Sequence, residues 1–122
     1  MGNERDRRTR SADLGAGIRA LRLELLFREE LNSILDGELG DRRFDGVHVT
    51  FVELSRDGSR VRIWYSSSDP LDAERVEQAR RAFEHAAPFL RARLCEALPL
   101  KRMPELSFRF DPAVASNLQE SY

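Results

Sequence analysis

Apolar side chains in the first third of the chain recur at helical spacing: Leu14, Ile18, Leu21 and Leu25, then Phe27, Leu31 and Ile34. This pattern predicts one long amphipathic helix from about Asp13, with Gly37 and Gly40 marking its end. The period then changes. Val47-His48-Val49-Thr50-Phe51-Val52-Glu53-Leu54 is rich in β-branched residues and predicts a strand. Ser55-Arg56-Asp57-Gly58-Ser59 holds an Asp-Gly pair, the signal of a hairpin turn. A second strand follows, with Val61, Ile63 and Tyr65 on one side and Arg62 and Trp64 on the other.

Ser68-Asp69-Pro70 predicts the start of the next helix, because a capping side chain precedes a proline suited to the first turn. That helix passes through Ala73, Val76, Ala79 and Phe83. At Ala86-Ala87-Pro88 it is expected to break or kink, since a proline ring clashes with the preceding turn and restricts Ala87. A new helix then runs from Pro88 through Phe89, Leu90, Leu94 and Leu98. Pro99 and Pro104 bound a short loop, and Leu106-Ser107-Phe108-Arg109-Phe110 alternates as a last strand. The order α-β-β-α-kink-α-β predicts an α+β domain with helices on one face of a three-stranded sheet.

At 122 residues the chain is the size of one domain, and no internal repeat or long linker divides it. With 41% hydrophobic and 34% charged residues, it reads as a single core under a heavily solvated surface. No apolar run approaches the roughly 20 residues of a membrane helix, and the charged start, Met1 to Arg10, has no apolar segment behind it. The single cysteine, Cys95, allows no intrachain disulfide, so a reducing compartment, the cytoplasm, is expected.

Catalytic chemistry is thinly represented. His48 and His85 share no local motif with a carboxylate or with Cys95, and no His/Cys/carboxylate cluster has the spacing of metal ligands. Both histidines read as structural or surface residues. Cys95 sits on an apolar helix and is expected to be buried. Glu29-Glu30 lies among Arg28 and Asn32 and reads as a solvated helix face. No glycine-rich phosphate loop is present. The reading is therefore of a binding protein without cofactor, metal or catalytic residue.

The net charge of -1 hides a segregated distribution. Residues 1–22 carry six arginines against three acids; residues 23–78 carry seven basic against thirteen acidic side chains; residues 79–109 carry seven basic against three acidic. Two basic segments thus flank an acidic middle, and contact with RNA needs a basic face, not a basic total. The candidates are Arg80 and Arg81 before the expected kink, Arg91 and Arg93 after it, Lys101 and Arg102 in the loop, and Arg7, Arg8 and Arg10 in the arm. A helix beginning at Pro88 would also offer free backbone N–H groups to a phosphate. The outward pair Arg62 and Trp64 would suit a stacked base, or be covered by the N-terminal segment.

Four stretches carry a resemblance to the bacterial ribosome-binding factor A family. Asp41-Arg42-Arg43-Phe44 closes the first helix. Val49-Thr50-Phe51-Val52-Glu53-Leu54-Ser55-Arg56-Asp57 looks like the family's V-x-x-V-E-[VLM]-S-x-D strand and turn. Ala86-Ala87-Pro88-Phe89-Leu90-Arg91 stands where the family has A-x-G-x-[IL]-R. Within Arg102 to Asp111, the stretch from Pro104 matches the P-E-L-x-F-x-x-D of the family's R-x-x-P-E-L-x-F-x-x-D, with Arg102 one place nearer the proline.

The resemblance implies a type II KH-like fold and a non-enzymatic, monomeric factor. Such a factor binds the free small (30S) ribosomal subunit and its 16S rRNA, in late maturation, in 5′-end processing and in growth in the cold. It implies a helix-junction motif at Ala86, Ala87 and Pro88, where proline replaces the family glycine. A ring there would obstruct the close backbone approach that glycine permits. The implied organisation is a flexible basic arm at 1–10, the KH-like domain at 11–111 and a tail at 112–122. The competing reading is a KH-like RNA-binding or protein-interaction module acting outside the ribosome.

Overall fold

The computed structural model describes the backbone of residues 14–111 and the side chains of residues 17–111. The arm at 1–10, with Arg7, Arg8 and Arg10, and the tail at 112–122 lie outside the described residues.

Helix α1 spans Leu14–Gly37. Phe27, Leu31 and Ile34, spaced four and three residues apart, are fully buried, and Leu23 and Leu35 flank them. The helix closes with the Glu38 N–H donating to the Ile34 carbonyl (3.0 Å), and Gly40 turns the chain at φ +62°. A 3-10 turn over Arg42–Phe44 follows. Asp41 caps it, accepting from the Arg43 backbone N–H (2.9 Å) and holding the Arg43 guanidinium at 2.8 Å. These bonds, the guanidinium's above all, hold the Asp41 carboxyl below its ordinary value.

Strands β1 (Val47–Leu54) and β2 (Arg60–Ser67) pair antiparallel, with a register shift between Val49 and Phe51. Their turn is built by Asp57. Its Oδ1 accepts from the Ser59 hydroxyl (2.7 Å), the Ser59 N–H (3.0 Å) and the Ser55 hydroxyl (2.9 Å), while Gly58 takes φ +73°. Strand β3 (Glu105–Phe110) pairs parallel to β2, giving the order β1-β2-β3 with β2 central. A parallel neighbour cannot be reached by a hairpin, so the chain between β2 and β3 must cross the sheet. Helix α2 (Ala73–Ala97) makes that crossing.

The expected α+β arrangement, with helices on one face of three strands, is found. Two details differ. Asp72, not the Ser68-Asp69-Pro70 run, caps α2, accepting from the N–H groups of Glu74 (3.1 Å) and Arg75 (3.2 Å). The earlier residues form a preceding turn in which the Asp72 N–H donates to the Asp69 carbonyl (3.1 Å), and Pro70 is buried there. The second difference concerns the break expected at Ala86–Pro88. Helix α2 instead runs through Pro88 as one element of 25 residues.

The reason is packing. A proline inside a helix costs about 3 kcal/mol, because it removes one backbone bond and crowds the preceding turn. Ala79, Ala82, Phe83, Ala86, Leu90 and Leu94 form one buried stripe on both sides of position 88. Burial of Leu90 and Leu94 alone contributes about 1.5–3 kcal/mol each, which together at least matches that cost. Pro88 and Glu84 face solvent, so water can bond the carbonyl that lacks its helical donor.

The sheet's inner face, with Val49, Val52, Val61, Ile63 and Tyr65, meets this stripe. Phe83 lies at its centre, 4.6 Å from Tyr65, 4.7 Å from Phe108 and 4.9 Å from Phe44 between ring centroids. Along the free edge of β1, Asn32 of α1 brackets Val49, donating to its carbonyl (2.9 Å) and accepting from its N–H (2.7 Å). Glu24 accepts from the Leu54 N–H (2.7 Å) in the same way.

Two outcomes check this account. Replacing Pro88 by alanine restores the missing bond and is expected to stabilise the fold by about 1–3 kcal/mol in urea denaturation, whereas Phe83→Ala costs about 3–5 kcal/mol. A lower denaturation midpoint for Pro88→Ala would show that the helix needs its proline. The second outcome concerns acid. Hydrogen bonds from Ser59 and Ser55 hold the Asp57 carboxyl at about 2, against 3.8 in the ordinary state. A depressed carboxyl contributes stability that is full above about pH 4 and lost as pH falls through about 2. Asp57→Asn is expected to lower the melting temperature at neutral pH and to flatten its fall between about pH 4 and pH 2. An unchanged acid limb would assign that fall to other carboxylates.

Candidate nucleic-acid interface

The arginines of α2 do not form one patch. Arg80 is held by Glu77, one turn before it (Nη2 to Oε1, 2.6 Å), and by Glu84, one turn after. The hydrogen bond to Glu77, then the nearby charges of both carboxylates, raises the Arg80 guanidinium further above its already high value. Arg81 also reaches Glu77, at 3.5 Å, while remaining largely exposed. Two arginines and two glutamates here cancel in charge, so this part of the helix presents little net field.

Arg93 leaves the outer face altogether. Its guanidinium bonds Glu38, just beyond α1, at 2.7 Å, and lies 3.6 Å from Glu96. Its Nε is buried with no partner among the described residues. Residues 91 and 93 are about 200° apart around a helix, which puts Arg93 on the α1 side and Arg91 on the opposite flank. Arg93 thus ties the two helices together.

Arg91 keeps its charge uncompensated. Its Nη1 donates to the Pro104 carbonyl (3.1 Å), and no carboxylate is paired with it among the described residues. That bond fastens the loop after α2 to the helix. Lys101 and Arg102 project from the same loop, exposed and without an ion pair to any described residue. Leu98 closes α2, its N–H donating to the Leu94 carbonyl (2.9 Å), and buried Leu98 and Pro104 anchor the two ends of the loop. The fold therefore gathers Arg91, Lys101 and Arg102 at the C-terminal end of α2.

Of the expected junction, Ala86 is buried, Ala87 half-buried and Pro88 exposed, all inside a continuous helix. The backbone N–H groups that follow Pro88 lie in the body of that helix, so the phosphate site expected at a helix start is not formed. Cys95 is a second correction: it is exposed, because Leu94 and Leu98 take the inward positions of that turn. His48 and His85 are both exposed. Among the described residues no group of three or more His, Cys, Asp or Glu side chains is placed to hold a metal. No described helix is long and apolar enough to cross a membrane.

One exposed feature escaped the sequence reading. Phe51 is 53% exposed on the sheet face away from the helices. Strict alternation from Val47 and Val49 would have turned it inward. The register shift after Val49 sends it outward and Val52 inward.

The family model for ribosome-binding factor A matches residues 19–120. This chain belongs to the ribosome-binding factor A family. The ribosome-binding factor A of Pseudomonas fluorescens is 33% identical over 88 residues, spanning 72% of this chain and 66% of that protein's own length. The crystal structure of ribosome-binding factor A from Thermus thermophilus is 28% identical, with a TM-score of 0.65, covering 75% of this chain and 93% of that one. A homology model of the Thermus thermophilus factor, fitted into the cryo-EM map of a 30S–RbfA complex, is 26% identical with a TM-score of 0.57. It covers 75% of this chain and 93% of that one. The fold is thus the family's KH-like one, and the helix of this chain passes through its proline without interruption.

The division of labour between the arginines is measurable as stability. Arg93→Ala is expected to lower the urea midpoint clearly, because Glu38 and Glu96 lose their shared partner and the α1–α2 tie is cut. Arg81→Ala should leave the midpoint within experimental scatter, as for most exposed pairs. Equal effects would show that Arg93 is no more structural than Arg81.

Proposed function

We propose that this protein is a non-enzymatic assembly factor that binds the free small (30S) ribosomal subunit and supports its late maturation, including 5′-end processing of 16S rRNA. The observation that carries the reading is the uncompensated cluster Arg91, Lys101 and Arg102 on a member of the ribosome-binding factor A family. Support also comes from the likeness to the Thermus thermophilus coordinates fitted into a 30S–RbfA map.

The mechanism is positional. Arg91, fixed by the Pro104 carbonyl, presents a preorganised cation, and Lys101 and Arg102 add two more on the same loop. Phosphate oxygens accept from such donors, and a planar guanidinium can match them in bidentate geometry. Arg80 and Arg81 contribute by exchanging Glu77 and Glu84 for phosphate, which costs them those pairs. Arg93 acts from behind by holding α2 against α1. The arm at 1–10, with Arg7, Arg8 and Arg10, adds a second basic contact to the KH-like domain at 11–111, and the tail at 112–122 contributes no charge of that sign. The factor works as a cytoplasmic monomer, with no membrane partner and no cofactor.

The test is co-sedimentation with free small subunits across a range of salt. Each phosphate contact releases counterions and gives a log–log slope of roughly -0.7 to -0.9. Reversing Arg91 and Arg102 together to glutamate is expected to weaken binding and flatten that slope by about two contacts' worth. The same reversal at Arg28 and Arg75 should do little. Equal loss in both double variants, or none in the first, would remove the cluster from the interface. Migration with translating ribosomes in place of free subunits would overturn the assembly reading.

A further inference from the structure

The face of the sheet turned away from the helices is uncovered by any described residue, and its side chains are ordered by the strand register. Phe51 of β1 lies opposite Trp64 of β2, and Trp64 lies beside Arg109 of β3. One row across all three strands is therefore aromatic, aromatic, arginine. Opposed residues have Cβ atoms about 5 Å apart, so the two rings are neighbours on this face, though they make no ring-to-ring contact with each other. Phe51 is 53% exposed and Trp64 half-buried.

Next to this row is a shallow depression lined by Arg56, Arg60, Arg62 and Arg109 with Glu53 and Glu105. Glu53 is taken up by Arg62 at 3.2 Å. Arg56, Arg60 and Arg109 are exposed and make no ion pair with a described residue. The depression is thus net positive, with four arginines against two glutamates, in a chain whose total charge is -1; Asp111, farther along the same face, accepts from the Thr50 hydroxyl at 3.1 Å.

We propose that this open face is a stacking platform for single-stranded RNA, with unpaired bases on Phe51 and Trp64 and phosphates on Arg56, Arg60 and Arg109. The chemistry separates this occupant from a protein partner. A protein interface would want a contiguous apolar centre with charges kept to its rim. Here arginines reach into the aromatic row itself, as at Arg109. Flat rings interleaved with cations match the two features every unpaired nucleotide carries, a π-face and a phosphate. A duplex keeps its bases stacked inside and cannot offer them to a flat sheet. The face lies across the sheet from α2, so this contact is separate from the Arg91–Arg102 cluster. The inference rests on the ribosomal reading for the source of the strand, and on the face alone for its chemistry.

Trp64 is the chain's single tryptophan, so its emission reports on this face directly. Titrating the full chain with a single-stranded RNA of about ten nucleotides is expected to give saturable quenching. The same RNA annealed to its complement should bind about tenfold more weakly, and Phe51→Ala and Arg109→Glu should each weaken the single strand about tenfold. Phe51→Tyr keeps a ring and should keep the affinity, which separates stacking from any loss of folding in the alanine variant.

Reversal of Arg91 and Arg102 should weaken subunit binding yet leave this quenching intact, so the two interfaces fail independently. Quenching that is equal for duplex and single strand, or indifferent to Phe51→Ala, would overturn the proposal. Quenching by small subunits but by no free RNA strand would put a ribosomal protein on the face, and would overturn it as well.

Discussion

Four parts of the chain meet at the ring of Phe83. Strand β2 reaches it through Tyr65, strand β3 through Phe108 and the 3-10 turn through Phe44, each with ring centroids within 5 Å. Phe83 itself belongs to α2, and this is the contact on which the rest depends. Strand β3 cannot find β2 by local folding, because the two are parallel and separated by the whole crossover. The helix must lie down on β2 first, and the burial of Phe83 between the strands fixes where it lies. With that ring in place, the chain leaving Ala97 returns along the open edge of β2, where Glu105 bonds Ser59 and Asp111 bonds Tyr65.

The position of α2 also sorts its charges. A helix pinned along one stripe has its other positions assigned by rotation alone. Arg93 is carried toward α1 and consumed by Glu38, Arg80 and Arg81 are left among their own helix's glutamates, and Arg91 is turned toward the loop that ends at Pro104. The local excess of positive charge in residues 79–109 thereby contracts to Arg91, Lys101 and Arg102 at one end of the helix, with Arg109 apart on the outer face of the sheet. At the same time the inner face takes every aliphatic residue of β2, which leaves Arg62 and Trp64 on the outer one. The two surfaces proposed to meet RNA are by-products of a single packing decision.

The sheet's edges are handled by different means. Strand β1 has an unpaired side, and free N–H and C=O groups on an edge invite pairing with another chain. Here α1 runs beside it, and Asn32 and Glu24 bond the Val49 and Leu54 backbones as a neighbouring strand would. Asn32 uses both ends of its amide on one residue, which fixes the height of α1 along the strand. The register shift after Val49 sits beside this bracket.

Features decided by residues adjacent in the chain were legible without coordinates. Asp57-Gly58 makes its turn with its own neighbours, so the hairpin is a local property. The inward positions of β2 and the end of α1 at Gly37 follow from period and from backbone freedom, which are also local. Cooperation between distant segments was not legible. Whether Pro88 breaks a helix depends on how strongly Leu90 and Leu94 are buried beyond it, and that burial is supplied by the sheet. Whether Arg93 is a free cation depends on Glu38, 55 residues away. Whether Cys95 and Phe51 face outward depends on the rotation of a packed helix and on one displaced residue in a strand. Sequence alone determined the strands, the end of the first helix, the hairpin turn and the family. Packing energy summed over distant contacts decided which cations stay unpaired, which rings stay exposed, and whether the helix survives its proline.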